Sequence, residues 1–358
     1  MGSGWLGLRA LGAAFALMTL LQWGPGFLIH GDTGGVMLND LLPILVTFFF
    51  FALLLLPFLV EFGFMEFVGT LLRRPFRWLF HLPGRSAIDA SASWMGSGTV
   101  GVLITYQQFE RGYYSRREAA VIATTFSVVS IPFCLVIASF LGLGRMFVPF
   151  YATVVVAGFV AAIVVPRLPP LSRKPDTYHE GVGPRIVEEA PREKGLLAHA
   201  VEMGAVRAAS APGPRILVRG TAVNLADIFF GLFPLVMVLG TLAMATAEFT
   251  PVFQWLAWPL VPVLELLRLP EAGAAAPAML VGFADMFLPA VLLSGVESEL
   301  TRFVIGTLSL VQLIYLSEVG AIILRSPIPL NLWELAVIFV LRTGVALPVV
   351  AGLGHLIV

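Results

Sequence analysis

The sequence predicts an all-α polytopic membrane protein built from two inverted structural repeats, each with a re-entrant helical hairpin. Three observations support this fold class: the composition, a repeat in the sequence, and the placement of positive charge. Of the 358 residues, 58% are hydrophobic and 12% are charged, whereas a soluble domain has about 25% charged residues. The formal net charge is zero, which excludes a generally basic nucleic-acid-binding protein.

Seven apolar segments are long enough to cross a bilayer as helices, for which about 20 residues are needed. They are residues 6–29, 38–60, 117–143, 147–165, 222–247, 300–324 and 332–357. The first segment carries only Arg9 near its start and has no convincing cleavable signal, so we predict a helix that is retained. The single cysteine, Cys134, excludes a disulfide within the chain.

A repeat relates the two halves of the chain. Identical residues recur 187 positions apart, and one glycine pair recurs 186 positions apart. These pairs are Asp40 and Asp227, Glu61 and Glu248, Phe62 and Phe249, Leu82 and Leu269, Pro83 and Pro270, and Gly96 and Gly282. Several matches at nearly one offset predict a single domain of two related halves, residues 37–166 and 221–358. Residues 1–36 add a transmembrane helix before them, and residues 167–220 form a polar cytoplasmic loop between them.

Each half contains an apolar segment that is interrupted by helix breakers. In the first half the segment covers residues 86–111, with three glycines up to Gly101. In the second half it covers residues 272–297, with Gly282 and Pro289 as breakers. Such a segment either crosses the membrane once or enters and returns as a re-entrant hairpin of two half-length helices.

The distribution of positive charge favours the re-entrant alternative. If neither segment crosses, most of the 22 lysines and arginines lie on one side of the membrane, and the positive-inside rule makes that side cytoplasmic. The chain then has about seven crossings, with the amino terminus inside and the carboxyl terminus outside. Each half contributes three crossings, an odd number, so the second half is inverted, as in many secondary transporters.

Residues Gly96 to Gly101 match the pattern G-x-G-x-x-G of dinucleotide-binding folds. That fold requires a buried strand before the pattern, and the small and polar residues 86–93 do not form one. Neither H-E-x-x-H nor G-x-S-x-G occurs in the sequence, and the five histidines have no metal-ligand spacing. We therefore expect no enzymatic activity, no resident metal and no cofactor.

Unwound backbone is tolerated at membrane depth only inside the protein or beside a water-filled cavity. We therefore expect the two hairpin tips to face each other across a binding cavity, where nearby side chains offer hydrogen bonds and charge. The candidate residues for binding a substrate or a coupling ion are Ser93, Ser97, Thr99, Gln107, Asn224, Asp285, Glu318 and Arg342. The alternative for the small residues is that they only permit close helix packing.

Glu318 and Arg342 are ionisable residues deep in the predicted spans. A charge at the centre of a transmembrane helix costs about 2.5 to 3.5 kcal/mol, so such residues are normally paired or line a pathway. An ion pair between these two residues is compatible with the predicted topology. Structural pairing and the handling of a substrate or proton remain alternatives.

The polar loop has two parts. Residues 169–191 mix proline, glycine and both signs of charge, which predicts disorder. Residues 195–209 place apolar residues at helical spacing, enough for an amphipathic helix on the membrane surface. The loop is either a solvated linker or a binding site for a partner.

Residues 93–101 have the sequence S-W-M-G-S-G-T-V-G and are followed by Thr105, by Gly112 to Ser115, and by matching residues within 117–130. Over this stretch the sequence resembles the YjiH family of nucleoside recognition, or Gate, domain membrane proteins. The resemblance implies a membrane transport role with two helical hairpins and leaves the substrate open. We expect no GTP-binding domain in this chain, unlike in the ferrous iron permeases that also contain Gate domains. The second hairpin lacks the hydroxyl-rich tip of the first.

These observations predict a secondary transporter for a small polar solute, nucleoside-like or amino-acid-like, that binds between the hairpin tips. A gradient of Na⁺ or H⁺ is the expected driving force, and a bacterial-type cytoplasmic membrane is the expected location. The expected partners are the small-molecule or ion substrate and membrane lipids, not nucleic acid; a homo-oligomer or a second membrane subunit is compatible with the pattern. The alternative is a non-transporting scaffold or assembly subunit that acts through the cytoplasmic loop.

Overall fold

The computed structural model describes residues 3–43, 45–47, 50, 51, 54, 57, 61–95, 98–179, 182 and 195–358. Over these residues the regular secondary structure is helical, without a strand. Within the described part of the chain, four helical segments are long and apolar enough to cross a membrane: Gly144–Arg167, Pro214–Thr246, Glu299–Arg325 and Leu332–Ile357. The prediction of an all-α polytopic membrane protein is confirmed, and the number of crossings stays a prediction.

The main helices follow one another in a similar order in the two halves. Helix α1 (Ser3–Leu20) precedes the two halves. The helices of the first half are α2 (Phe64–Phe80), α3 (Ser86–Met95), α4 (Gly98–Glu110), α5 (Arg116–Thr125), α6 (Ile131–Phe140) and α7 (Phe147–Val164). The loop and the second half contribute α8 (Leu196–Ala209), α9 (Pro214–Asp227), α10 (Phe233–Phe249), α11 (Ala272–Val281), α12 (Leu288–Leu292), α13 (Glu299–Gln312), α14 (Ala321–Arg325) and α15 (Leu332–Ile357). Short helices at Val252–Ala257 and Val261–Leu266 connect α10 to α11.

The first apolar segment forms a shorter helix than predicted. α1 ends at Leu20 instead of continuing to residue 29. Gln22 adopts φ 52° and Gly24 adopts φ 149°, and Pro25 has no N–H to donate to a helical hydrogen bond. The chain therefore turns after α1, before the short helix Gly26–Ile29.

Two spans that the sequence predicts as continuous helices are interrupted. In the first half, α5 and α6 are separated by residues 126–130, which we call the first break. In the second half, residues 313–315 form the second break, and the π-helical turn Leu316–Gly320 then leads into α14. The two breaks start 187 positions apart, so they are equivalent features of the two repeats.

The causes of the two breaks differ. Pro132 is the second residue of α6; it lacks the N–H that would bond to the Val128 carbonyl in a continuous helix, and its ring would clash with that carbonyl. The second break contains neither proline nor glycine, yet Leu313 adopts a left-handed φ of 60°. Only contacts from the rest of the protein can hold a leucine in that conformation.

Helices α2 and α8 pack against each other. A Cβ on Gly63 would lie 2.0 Å from the Gly204 carbonyl oxygen, so glycine permits the close approach of the two backbones. Arg207 forms salt bridges with Glu61 and Glu66 across the same contact. The helix predicted in the loop therefore exists as α8, and its location on a membrane surface stays a prediction.

Part of the loop that the sequence predicts as disordered has a defined position. The N–H of the first residue of α5 donates to the Thr177 carbonyl at 2.7 Å. Lys174 forms a salt bridge of 2.7 Å with Glu334 in the first turn of α15. Disorder is thus wrong for residues 169–179, because these contacts fix them to α5 and α15. Of the rest of the predicted disordered segment, only residue 182 is among the described residues.

Candidate functional site

Helices α3 and α4 form the first hairpin. The Thr105 hydroxyl on α4 donates to the Asp89 carboxylate on α3 at 3.2 Å. A Cβ on Gly101 would lie 1.6 Å from the Ser93 Oγ. The two contacts run antiparallel, because the later residue on α3 meets the earlier residue on α4. The chain therefore reverses between the two helices, as the re-entrant prediction requires.

Helices α11 and α12 form the second hairpin, whose two ends meet on one side. The Glu271 carboxylate, just before α11, accepts hydrogen bonds from the Ser298 N–H at 2.8 Å and the Glu297 N–H at 3.2 Å. The Thr301 hydroxyl donates to the Pro270 carbonyl at 2.7 Å. Because the residues before α11 touch those that open α13, this hairpin also returns to the side from which it starts.

The tip of the second hairpin, residues 282–287, pairs with the chain that follows the second break. The Leu316 N–H donates to the Phe283 carbonyl at 2.9 Å. The Ser317 N–H donates to the Ala284 carbonyl at 3.0 Å. This two-bond ladder satisfies backbone groups that have no helical partner, which is a strict requirement at membrane depth. The second tip and the second break are therefore one packed unit.

Asp285 lies inside this unit. Its carboxylate accepts hydrogen bonds from the Phe287 N–H and the Ser317 hydroxyl, both at 2.8 Å, and the residue is only 6% exposed. The half-buried Glu318 lies near enough to interact with it electrostatically. Among the described residues, no lysine, arginine or histidine lies within salt-bridge distance of either carboxyl. Two neighbouring carboxyl groups without a cationic side chain can share a proton or bind a small cation.

The start of α4, at the tip of the first hairpin, lies against the first break and the π-helical turn that follows the second break. A Cβ on Gly98 would lie 3.0 Å from the Ser127 carbonyl oxygen in the first break and 3.5 Å from a methyl group of Val319, beyond the second break. Thr99, the next residue, is half-buried. Ser97, a predicted binding residue, lies outside the described residues. The first tip, the first break and the turn after the second break therefore meet in one region.

Three other predicted binding residues, Ser93, Gln107 and Asn224, have different surroundings. Ser93 is buried between α3 and α4. Gln107 is exposed on α4, nine residues from Gly98 and so about 13 Å along the helix. Asn224 is in α9, and its side chain is not among those the structure describes. The predicted residues placed at the tips and breaks are Thr99, Asp285 and Glu318.

Arg342 on α15 is fully buried and bonds to both halves of the chain. Its Nε and Nη2 donate to the Val311 carbonyl at 3.0 and 2.8 Å. Its Nη1 donates to the Thr124 carbonyl at 3.4 Å. Thr124 and Val311 are 187 positions apart, so they are equivalent residues of the two repeats. The ion pair with Glu318 that the sequence allows does not form.

Helix dipoles explain how this guanidinium is accommodated without a carboxylate partner. α5 and α13 each end one residue after the carbonyl that Arg342 binds. A helix carboxyl terminus carries about −0.5 elementary charge, so two such ends match the single positive charge of one arginine. Arg342 therefore joins the ends of the two broken helices, just before both breaks.

Asp89 is a buried polar residue that the sequence patterns did not single out. The Tyr114 hydroxyl donates to its carboxylate at 2.9 Å, in addition to Thr105, and Asp89 is 2% exposed. Nearby, the Arg85 guanidinium lies 4.0 Å from the centroid of the Tyr113 ring. The available signal was one carboxylate in a stretch of small and apolar residues. These contacts fix the base of the first hairpin and not its tip.

Gln312, the last residue of α13, is a second residue that was missed. Its Nε2 donates to the Met279 carbonyl at 3.1 Å and to the Thr343 hydroxyl at 2.9 Å. A Cβ on Gly282 would lie 2.2 Å from its Oε1, so the second tip needs glycine there. The Gln312 amide therefore connects the second hairpin to α13 and α15. Its only signal in the sequence is a glutamine at the end of an apolar segment.

The chain is 57% identical over 351 residues to Uncharacterized protein BpOF4_10220 of Alkalihalophilus pseudofirmus, with 98% of this chain and 76% of that protein covered. The chain belongs to the same family as this protein. Residues 42–144 also match the family model Gate, described as nucleoside recognition. This match confirms the predicted resemblance to Gate domain proteins, and it contains the first hairpin and the first break. The narrower YjiH name stays a prediction.

Two solved structures of CNTnw are similar to this chain. One shows CNTnw in an inward-facing substrate-bound state, with 14% identity, a TM-score of 0.45, and coverage of 98% of this chain and 83% of that chain. The other is a double variant in an outward-facing state, with 14% identity, a TM-score of 0.45, and coverage of 97% and 83%. The Gate match and the membrane-length helices support a membrane transporter.

Proposed function

We propose that this Gate domain protein is a secondary transporter that couples the movement of a small polar solute, nucleoside-like or amino-acid-like, to Na⁺ or H⁺. The solute binds between the two hairpin tips, beside the two breaks. One observation carries the proposal: Asp285 is held in a unit of the second tip and the second break, and the turn after that break contacts the start of α4 beside the first break.

The chemistry near the tips suits a polar solute. Unwound backbone offers carbonyl and N–H groups that a continuous helix would consume, and discontinuous helices of this kind form binding sites in secondary transporters. Thr99 and Glu318 are half-buried, so they can contact a solute that enters between the tips. The Gate description, nucleoside recognition, favours nucleosides within the proposed class. Alternating access comes from movement of one part of the repeat pair against the other.

Asp285 and Glu318 supply the coupling step. Two nearby carboxylates in a site of low dielectric constant repel each other, so one of them takes up a proton or a cation is bound beside them. Over the described residues, no group of three or more His, Cys, Asp or Glu side chains could hold a metal ion. The pair therefore suits H⁺ or Na⁺ and not a divalent metal with several protein ligands.

Uptake by proteoliposomes tests the proposal. The purified protein is reconstituted, an inward Na⁺ or H⁺ gradient is imposed, and uptake of labelled nucleosides and amino acids is measured. We expect gradient-dependent accumulation of at least one of these solutes. The Asp285→Asn variant is expected to lose about tenfold or more of this uptake, equivalent to about 1.4 kcal/mol. Glu265→Gln, at an exposed carboxyl near the end of a connecting helix, is the matched control and is expected to transport as the wild type does.

Two results would count against these statements separately. Absence of gradient-dependent uptake across the whole panel, from protein that is monodisperse and thermally stable, contradicts the transporter proposal. Equal coupled uptake by the wild type and the Asp285→Asn variant leaves transport standing and removes Asp285 from the coupling site.

A further inference from the structure

A cavity lies beside α3 of the first hairpin. Its volume is ≈ 180 Å³, and none of its described lining residues belongs to the second hairpin. Its walls come from α2, α3 and α7, with aromatic side chains such as Phe76 and Phe159. Its floor is made by residues at both breaks, including Phe126 and Leu313, and by Arg342.

The polar groups of this cavity are few and mostly satisfied. The Trp94 indole N–H donates to the Tyr151 hydroxyl, and the Ser91 hydroxyl donates to the Ala87 carbonyl at 2.7 Å. Among the described side chains that line the cavity, Thr125 has the hydroxyl without a partner. A nucleoside or an amino acid would bring several donors and acceptors that the cavity leaves unpaired, which opposes its binding there. The cavity is therefore suited to an alkyl chain.

Surface features next to the cavity indicate where such a chain comes from. Pro75 on α2 lines the cavity and is itself exposed, and Gly158 on α7 leaves open space at its Cβ position. On the same helix as Pro75, Arg74 and Trp78 are exposed. Exposed tryptophan and arginine on one helix are typical of the headgroup region of a membrane, where arginine attracts anionic lipids.

We propose that this cavity holds one acyl chain of an anionic phospholipid, whose headgroup lies at α2 beside Arg74. The chain enters past Gly158 and reaches the side chains at both breaks. A bound chain therefore packs against the place where Arg342 joins α5 to α13. Lipid occupancy stabilises this arrangement because a ligand that binds only the folded state raises its stability.

Native mass spectrometry of the full-length protein with added phosphatidylglycerol tests the site. The Gly158→Phe variant places an aromatic ring in the cavity, whereas Gly344→Phe adds the same ring at an exposed position of α15 that also has open space and does not line the cavity. We expect the wild type and Gly344→Phe to retain one tightly bound lipid, and Gly158→Phe to bind it about tenfold more weakly. Equal lipid retention by all three proteins would overturn the proposal.

A comparison of an anionic with a zwitterionic lipid tests the proposed headgroup site at Arg74. The wild type is expected to retain phosphatidylglycerol better than phosphatidylcholine, and Arg74→Gln is expected to lose this preference while keeping the bound chain. No preference for the anionic lipid in the wild type contradicts a headgroup site at Arg74. These measurements use no transported solute, so they are independent of the proposed transport activity.

A labelling experiment covers the case in which Gly158→Phe does not fold. A phosphatidylglycerol with a photoreactive diazirine at the end of one acyl chain is mixed with the wild-type protein and irradiated. We expect the label in the peptides that contain residues 72–80 and 151–162, above the level at other membrane-facing segments. Labelling of these peptides no stronger than that of the exposed face of α15 would overturn the proposal.

Discussion

The first hairpin holds its buried carboxylate on an arm, and the second hairpin holds its buried carboxylate at the tip. Asp89 lies on α3 and is bonded by Tyr114, away from the breaks. Asp285 lies in the second tip and is bonded by Ser317, just beyond the second break. The residue 187 positions after Asp89 is Ala276, so the carboxylate is not copied with the repeat.

The two repeats therefore have the same order of hairpins and broken helices, but they place their buried carboxylates differently. Asp89 accepts hydrogen bonds from Thr105 and Tyr114 and so fixes the shape of its own hairpin. Asp285 instead lies beside the turn after the second break, and that turn contacts the start of α4 in the other hairpin. Arg342 is the feature that both halves share, because it donates twice to the Val311 carbonyl and once to the equivalent Thr124 carbonyl. The substitutions below separate these three roles.

Replacement of Arg342 by methionine is expected to have the largest effect on stability. It removes charge-assisted hydrogen bonds to two buried carbonyls, and hydrogen bonds to a charged group contribute about 1.5 to 3 kcal/mol each. We expect a loss of about 3 kcal/mol in the free energy of unfolding, measured by thermal unfolding in detergent. Arg342→Lys keeps the charge but lacks the fork of donors, so it is expected to recover only part of the loss. A methionine variant as stable as the wild type would show that the two broken helices do not need this link.

Gly101→Ala is expected to disturb the first hairpin alone. The added Cβ would lie 1.6 Å from the Ser93 Oγ and 2.9 Å from the Ser93 Cβ, and such overpacking costs about 1 to 3 kcal/mol. The measurement is again thermal unfolding of the detergent-solubilised protein. The second change Ser93→Gly removes both clashing atoms, so the double variant is expected to be more stable than Gly101→Ala. A double variant no more stable than the single one would show that α3 and α4 are not packed as described.

Tyr114→Phe isolates the buried carboxylate of the first hairpin. The change keeps the ring and removes the hydroxyl that donates to Asp89 at 2.9 Å. We expect a loss of about 1 to 2 kcal/mol in unfolding free energy, because a buried carboxylate loses one of its two side-chain donors. Tyr113→Phe, on the half-buried ring beside Arg85, is the matched control and is expected to be nearly neutral. If the two variants lose equal stability, the bond to Asp89 has no special role.

The membrane class and the two related halves were predictable because composition and recurring residues indicate them in the sequence. Composition predicts the membrane class, and the offset of 187 predicts two related halves. Pro132 marks the first break within a segment that otherwise predicts one continuous helix. The second break has no such residue, because Leu313 is left-handed through tertiary contacts and not through its own preference. A break that depends on pairing with a distant tip leaves no local signal.

The candidate site was predictable only where it depends on ionisable side chains. Asp285 and Glu318 stand out as carboxylates in apolar segments, and the structure places both beside the second break. The partners of Arg342 are backbone carbonyls, which every residue has, so the sequence suggests an acidic partner instead. Asp89 is also a carboxylate among apolar residues, but its role depends on Tyr114, 25 positions later, and nothing in the sequence indicates that contact.

Ser317→Ala is the mildest change and compares the two breaks directly. It removes the hydroxyl that donates to Asp285 at 2.8 Å and leaves the Ser317 N–H bonded to the second tip. We expect a loss of about 1 kcal/mol in unfolding free energy. Ser130 is 187 positions earlier, and its side chain makes no capping hydrogen bond to α6. Ser130→Ala is therefore expected to change stability by less than about 0.5 kcal/mol. Thermal unfolding of both variants tests this difference. Equal losses of unfolding free energy would mean that the Ser317 hydroxyl has no special role toward Asp285. A loss only in Ser317→Ala would show that the second half, and not the first, uses this serine to bind a buried carboxylate.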